Sequence, residues 1–381
     1  MDGSTSEEKF ERTFGRISSH MGLIGFNIFN PNWRPSLRSV VVFLIICIQP
    51  IATVTTVLQL YHDFEAVIEC LCVSCTGMQF FFRSYFYLFQ GDTCRRIAKD
   101  IREQCVLYGG AANPKINRLF HQAADRMILF YRVMYPVYLS STFFILLAVA
   151  QPNPHKFGLP LPFFFPLVPP DRSAVNWYFN FVYQCVLIQS AIHHLVAMDG
   201  VLMMALLSTS TRITALQVML DELDERIGQS EWARTDHLEA DMDRIIELHD
   251  VTKRFARRTF EAFEFHCFFM FATACLVVCM CLNVIVVSPN NSEYPLLSAA
   301  ALQLFVACYF GSTLLIANDR LPDSVYGIRW YRLNIAQQKK IMFLLANAQP
   351  DMLMSAIFMP VNMTSFVTIL RAGYSYFAIL N

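Results

Sequence analysis

Apolar runs of about twenty residues recur along the chain, separated by segments in which the charged residues gather. The first, SVVVFLIICIQPIATVTTVLQL at 39–60, holds no charge at all. A helix crossing the hydrocarbon core of a bilayer needs roughly 20 apolar residues at about 1.5 Å each. Seven runs meet that need, at 39–60, 66–90, 127–150, 174–207, 263–287, 294–318 and 352–380. The second carries Glu69 and Arg83, and the third carries Arg132 and a proline, Pro136, that predicts a kink. The fourth is longer than a bilayer is thick and has to tilt or project. The seventh is divided, with IMFLLANA followed by QPD and then the run to 380, so Pro350 marks a break.

The pattern continues outside these runs. In DHLEADMDRIIELHDVTKRFARRTFEAFEF, Leu238, Met242, Ile245, Leu248, Phe255, Phe260 and Phe263 share one helical face that leads into the fifth run. A helix over about 236–287 is expected, extending well beyond the membrane. WYRLNIAQQKKIMFLLANA at 330–348 predicts another, with Leu333, Ile341 and Leu344 available for packing. Helices over about 208–262 and 330–348 therefore form expected cytoplasmic anchors, and neighbouring chains are the expected cover for their apolar faces.

Composition agrees with a membrane protein. Of 381 residues, 55% are hydrophobic, 14% aromatic and 16% charged, a balance that a soluble surface does not accommodate. The formal net charge of zero speaks against a nucleic-acid partner. Lys and Arg gather before the first run and between runs two and three, four and five, and six and seven; the alternate loops hold only Lys156 and Arg172. This bias predicts a cytoplasmic N-terminus and, after seven crossings, an extracellular C-terminus. The terminal SYFAILN is then the outer end of a membrane helix with no cytoplasmic tail after it. The expected fold is a single all-α membrane domain of seven transmembrane helices, the seventh split into a cytoplasmic half and a membrane-spanning half.

MDGSTSEEKFERTFGR is too charged for a cleaved signal, so the first run serves as its own insertion signal. All twelve cysteines fall in runs or cytoplasmic segments, which excludes a disulfide across the outer loops. Asn290 opens a sequon in an outer loop and is the glycosylation candidate.

Chemistry is sparse. CLCVSC at 70–75 has metal-binding residue types but no second paired cluster, and buried thiols are the better reading. In HHLVAMD, His194 and Asp199 are five apart, without a shared face, so polar packing is preferred to a metal or proton relay. Arg371 in the seventh run is expected to face the bundle, where it can pair with polar groups or snorkel. No nucleophile elbow or phosphate loop occurs, and neither an enzyme nor a cofactor or metal is implied.

ANAQPDMLMSA at 346–356, followed about twenty residues later by GYSYFAIL, is similar to the seventh segment of insect odorant receptors. The chain resembles a ligand-tuned subunit of that family. The resemblance implies an odorant-gated, non-selective cation channel, a heterotetramer with the co-receptor Orco in the dendritic plasma membrane of olfactory neurons. It implies that Trp330, Tyr331, Leu333, Ile341, Leu344, Gln349 and Pro350 belong to the subunit anchor. Ser375, Tyr376 and Ile379 fall on the pore helix, with Ile379 at the first gate position; a second gate residue would lie beyond Asn381. It also puts a cavity for a small, volatile, apolar odorant in the outer half of runs two, three, four and six. The side chains expected there are Val73, Met78 and Phe80; Tyr138, Ser141, Thr142 and Ile145; Phe181, Gln184 and Ile188; and Leu297, Ala301, Leu304 and Phe305. The Pro- and Phe-rich stretch at 150–170 is expected to pack over it, either as a lid or as a rigid connector. The competing class is a G-protein-coupled seven-helix chemoreceptor, opposed by the Lys/Arg distribution. A secondary transporter would show paired broken helices, and one run alone looks broken.

Overall fold

The computed structural model describes residues 5–30, 33–109, 113–147, 158–229, 235–287, 293–350 and 352–380. The chain begins with a helix that hydrophobic runs do not reveal, α1 (Ser6–Leu23). Thr5 caps it in a reciprocal capping box with Glu8, and Phe10, Phe14, Ile17 and Met21, at i, i+4, i+7 and i+11, bury one stripe. Too charged to span a membrane, α1 packs instead against α3, α4 and α5.

The long helices follow: α2 (Leu37–Gln59), α3 (Phe64–Gly109), α4 (Pro114–Leu147), α5 (Ala174–Gln229), α6 (Thr235–Val287) and α7 (Glu293–Gly327). Among the described residues these six are long and apolar enough to cross a membrane. A tight 3-10 turn (Trp330–Arg332) leads to α8 (Ile335–Ala348), a two-stranded hairpin of β1 (Ser355–Ala356) and β2 (Met359–Pro360), and α9 (Met363–Leu380). With 18 residues, α9 is about 27 Å long and supplies the seventh crossing.

Helix α5 is the central post. Its segment from Val196 to Leu207 is buried on every side, which explains why that stretch, Asp199 apart, is apolar all round. On α6, Met242, Ile245, Leu248, Phe255 and Phe263 are buried within the chain itself, so much of this face needs no second chain to cover it.

The stretch at 330–348 is not one helix. Asn334 caps α8 through a capping box with Gln337, which leaves Trp330 and Tyr331 in the preceding 3-10 turn. One face of α8, with Gln337, Ile341, Leu344 and Ala348, is buried. Leu333, Ile341 and Leu344 thus pack inside the chain, whereas Ile335, Met342 and Phe343 are exposed. Lys340 ties α8 to α6 through Glu239 at 2.9 Å and Asp243 at 2.6 Å.

The break at Pro350 is longer than a kink. The second half of the seventh segment is helical only from Met363, because the hairpin pairs Ser355 with Pro360 and Ala356 with Met359. Ile357 in its turn adopts φ of 58°, an uncommon conformation for a β-branched residue. Two glycines let α9 dock. A Cβ on Gly311 of α7 would lie 1.9 Å from the Val361 carbonyl oxygen, and one on Gly373 would lie 2.8 Å from Val278 of α6.

Candidate ligand cavity

A cavity of about 120 Å³ lies between α3, α4, α5 and α7, with Val284 of α6 and the α4–α5 connection on its wall. It approaches the size of a ~150 Å³ void known to take benzene. From α3 come Val73, Thr76, Gly77, Gln79 and Phe80, a set that keeps one face of the helix. From α4 come Tyr138, Ser141, Thr142 and Ile145, at i, i+3, i+4 and i+7. Leu187, Ile188, Ala191, Ile192 and Leu195 come from α5, and Leu296, Ala299, Ala300 and Gln303 from α7.

Val73, Phe80, Tyr138, Ser141, Thr142, Ile145 and Ile188 are therefore brought together, and the other sequence-predicted side chains stand elsewhere. Met78 is exposed on the far side of α3, one residue and about 100° from Gly77 and Gln79. Phe181 stacks on Trp177 with ring centroids 5.2 Å apart. On α7 the expected face is rotated by one residue: Leu297 packs beside the α3–α6 seam, Leu304 is in the core and Phe305 meets Phe366 of α9. Ala301, half-buried, also lies off the wall formed by Ala300.

Gln184 has a different task. Its Oε1 accepts from Leu161 N at 2.8 Å, and its Nε2 donates to the Leu161 and Phe163 carbonyls. Asn180, one turn earlier, accepts from Phe165 N and donates to Val168 O at 2.8 Å. An irregular segment buried among helices needs partners for its peptide groups, and these two amides supply them. Thr56 Oγ1 of α2 adds another by accepting from Phe164 N at 3.2 Å. So held, Leu159, Leu161, Phe163 and Phe164 are buried, and Pro160, Leu161 and Pro162 close one side of the cavity. The earlier part of the Pro-rich stretch, through 157, and Asn290 lie outside the described residues.

Beside the cavity lies a polar junction. Asp199 of α5 receives Arg83 Nη2 of α3 at 2.9 Å, the Tyr138 hydroxyl of α4 at 3.0 Å and Gln303 Nε2 of α7 at 3.4 Å. His266 Nε2 of α6 stands 3.8 Å from the same carboxylate. Arg83 also donates to the His194 carbonyl at 3.0 Å, and His194 bonds Ser84 at 2.9 Å and the Ser190 carbonyl at 2.8 Å. Asp199 thus joins Arg83, not His194. Buried charge in a membrane segment is the signal that marks this residue, and its partner is 116 positions away.

Cys70 and Cys72 are buried thiols: Cys70 Sγ is 2.6 Å from the Pro162 carbonyl, and Cys72 Sγ is 3.4 Å from Cys281 Sγ. On α9, Ser365, Ile369 and Gly373 form the buried face, at i, i+4 and i+8. Arg371, Ser375, Tyr376 and Ile379 are on the exposed side. Arg371 does not turn into the bundle as expected, since its neighbours at that surface are Val367, Leu370, Tyr374 and Ser375. Gln349 and Pro350 are exposed as well.

A seven-helix membrane protein with a largely apolar cavity walled by four of its helices and a buried connection is the class that this architecture defines. The chain belongs to the 7tm odorant receptor family, whose model matches residues 63–374. It is similar to two Drosophila melanogaster proteins, the putative odorant receptor 92a (26% identical over 123 residues, 31% of this chain and 30% of the relative) and odorant receptor 67c (22% over 142 residues, 36% and 35%). These alignments span about a third of each relative's length. The fold is also that of the insect olfactory receptor OR5 from Machilis hrabei, with a TM-score of 0.76, 12% identity and 98% of both chains covered. The same receptor in complex with eugenol gives a TM-score of 0.77 at the same identity and coverage.

Proposed function

We propose that this chain is the odorant-binding subunit of an odorant-gated, non-selective cation channel, assembled with Orco in a heterotetramer. The observation that carries the reading is the cavity between α3, α4, α5 and α7, small, mostly apolar and provided with few polar groups, as suits a volatile ligand. In this reading the cavity corresponds to the site occupied by odorant in relatives of this family. The distribution of Lys and Arg supports a cytoplasmic N-terminus, which puts the cavity in the outer half of the membrane.

The remaining parts follow the same orientation. The lower lengths of α5 and α6, with α8, form the cytoplasmic anchor, and the exposed Ile335, Met342 and Phe343 are apolar surface suited to a neighbouring subunit. On the exposed side of α9, Ser375, Tyr376 and Ile379 line the central pore, with Ile379 near its outer mouth. A ring of aliphatic side chains there closes the pore by excluding water, and a small outward movement rewets it. Expression in dendrites of olfactory neurons completes the role.

Whole-cell current from cells expressing the chain with and without an insect odorant co-receptor tests this directly. With a panel of volatile aromatics, alcohols and esters and a G-protein blocker present, rapid cation current requiring both chains is expected. Current abolished by the blocker would replace the channel by a G-protein-coupled receptor. A cysteine at Ile379 should react with a pore-permeant thiol reagent in at least one state; no reaction in either state would remove Ile379 from the pore.

A further inference from the structure

The cavity wall, which also carries the buried Glu69, has four hydroxyl groups whose hydrogens are already committed. Thr76 Oγ1 donates to the Val73 carbonyl at 2.8 Å, Ser141 Oγ to the Val137 carbonyl at 2.9 Å and Thr142 Oγ1 to the Tyr138 carbonyl at 3.2 Å. The Tyr138 hydroxyl donates to Asp199. Backbone carbonyls and a carboxylate can only accept from these groups, so the direction of each bond is settled by chemistry.

The two amides on the wall are oriented by the same logic. Gln79 Nε2 donates to Thr273 Oγ1, whose own hydrogen is directed to the Phe269 carbonyl at 2.5 Å. Thr273 therefore accepts from Gln79, which turns the amide oxygen the other way. That oxygen is fully buried, on a side chain 5% exposed, and has no partner among the described residues. Gln303 is oriented in turn by Asp199, an acceptor, so its nitrogen faces the carboxylate and its oxygen does not.

We infer that the cavity selects ligands that donate a hydrogen bond, namely alcohols and phenols over ketones, esters and ethers of the same size, with Gln79 Oε1 as the principal acceptor. The inference rests on the odorant-binding reading above and names the ligand class for that site. A buried acceptor left without a donor carries its full desolvation penalty, and a hydroxyl ligand relieves it where an ether or ketone oxygen cannot.

Benzyl alcohol and anisole are isomers that fit a cavity of this size, and cyclohexanol and cyclohexanone form a second matched pair. Their affinities for the full-length protein in lipid nanodiscs, measured by direct calorimetric titration, test the inference without need of channel opening. Benzyl alcohol should bind about tenfold more tightly than anisole, and cyclohexanol about tenfold more tightly than cyclohexanone. Gln79→Leu should bring both ratios towards one while anisole binding persists, and Gln79→Glu, which keeps an acceptor, should preserve the preference. Equal or tighter binding of anisole and cyclohexanone to the unsubstituted protein would overturn donor selection and leave odorant binding intact. If none of the four binds, both the odorant cavity and its selectivity are overturned.

Discussion

Two of the protein's Arg–Asp pairs, one buried and one at the surface, look alike in composition and differ in consequence. Arg329 grips Asp224 with two side-chain nitrogens, Nη2 at 2.9 Å and Nε at 3.1 Å, and adds its backbone N–H at 2.7 Å. Arg83 reaches Asp199 with one nitrogen at 2.9 Å. By geometry the first pair is superior, yet its side chains are 38% and 25% exposed against 1% and 5% in the second. Water and salt screen the outer pair, whereas the inner pair sits where any unpaired charge is expensive. Asp199 is also where α3, α4, α5 and α7 meet through hydrogen bonds, with α6 adjacent. The comparison teaches that environment and connectivity, more than hydrogen-bond count, decide what an ion pair does.

The largest effect should come from Asp199→Ala. It leaves the Arg83 guanidinium buried without its carboxylate, a loss of about 3–5 kcal/mol for a pair broken on one side. Thermal melting of detergent-solubilised protein and delivery to the cell surface should both fall sharply. Arg83→Met combined with Asp199→Leu removes both charges and should recover a large part of the loss, because well-packed apolar replacements of a buried pair are often neutral or better. Failure of the double variant to recover would mean that the junction contributes hydrogen bonds that apolar packing does not replace.

Tyr138→Phe is the next step down. It keeps the ring and removes one hydrogen bond to a charged acceptor, about 1.5–3 kcal/mol on the scale for such bonds. The melting temperature should drop less than in Asp199→Ala, and the two losses should not add when combined, since the residues act on one another directly.

Gln184→Leu follows, with an expected cost of about 1–3 kcal/mol for leaving a buried peptide group unsatisfied. The connection that closes the cavity is the part released, so proteolysis near Leu161 should accelerate while the helix content measured by circular dichroism stays unchanged. Protection equal to that of the unsubstituted protein would show that Asn180 and Thr56 hold the segment unaided.

The sequence discloses these features unevenly, for physical reasons. The seven apolar runs are legible because a bilayer imposes length and composition together. Tyr138, Ser141, Thr142 and Ile145 come from the family resemblance, which selects the outer half of that run, and their i, i+3, i+4 and i+7 spacing puts them on one face of α4. On α7 the surroundings of Gln303 are apolar on all sides, so no period marks the inner face, and a one-residue error turns it by about 100°. Gln79 and Arg83, four apart on α3, are strongly polar residues in a membrane run, and that cost is a signal for both. Their pairing with Thr273 and Asp199 is not legible, the partners being 194 and 116 residues away. Helix α1 is not legible because its stripe is narrow, and the sequence points Gln184 to the cavity because nothing local distinguishes an amide that meets a ligand from one that clamps a loop.

The smallest effect belongs to the outer pair, and here pH supplies the test. The Arg329 guanidinium, with its hydrogen bonds to Asp224, holds that carboxyl below the usual aspartate range. A group whose folded pKa is depressed contributes stability above its unfolded value, about 3.9 for aspartate, and the contribution disappears as pH falls through the folded value. Melting temperatures measured from neutral pH downwards should therefore show Asp224→Asn to be slightly less stable than the parent at neutral pH, the two converging as pH falls through the lowered pKa of the folded state. Raising the salt concentration at neutral pH should narrow the same gap, as screening weakens an exposed pair. The inner pair should respond far less to salt. If both pairs lost stability equally with added salt, the contrast between a screened contact and a protected one would not hold.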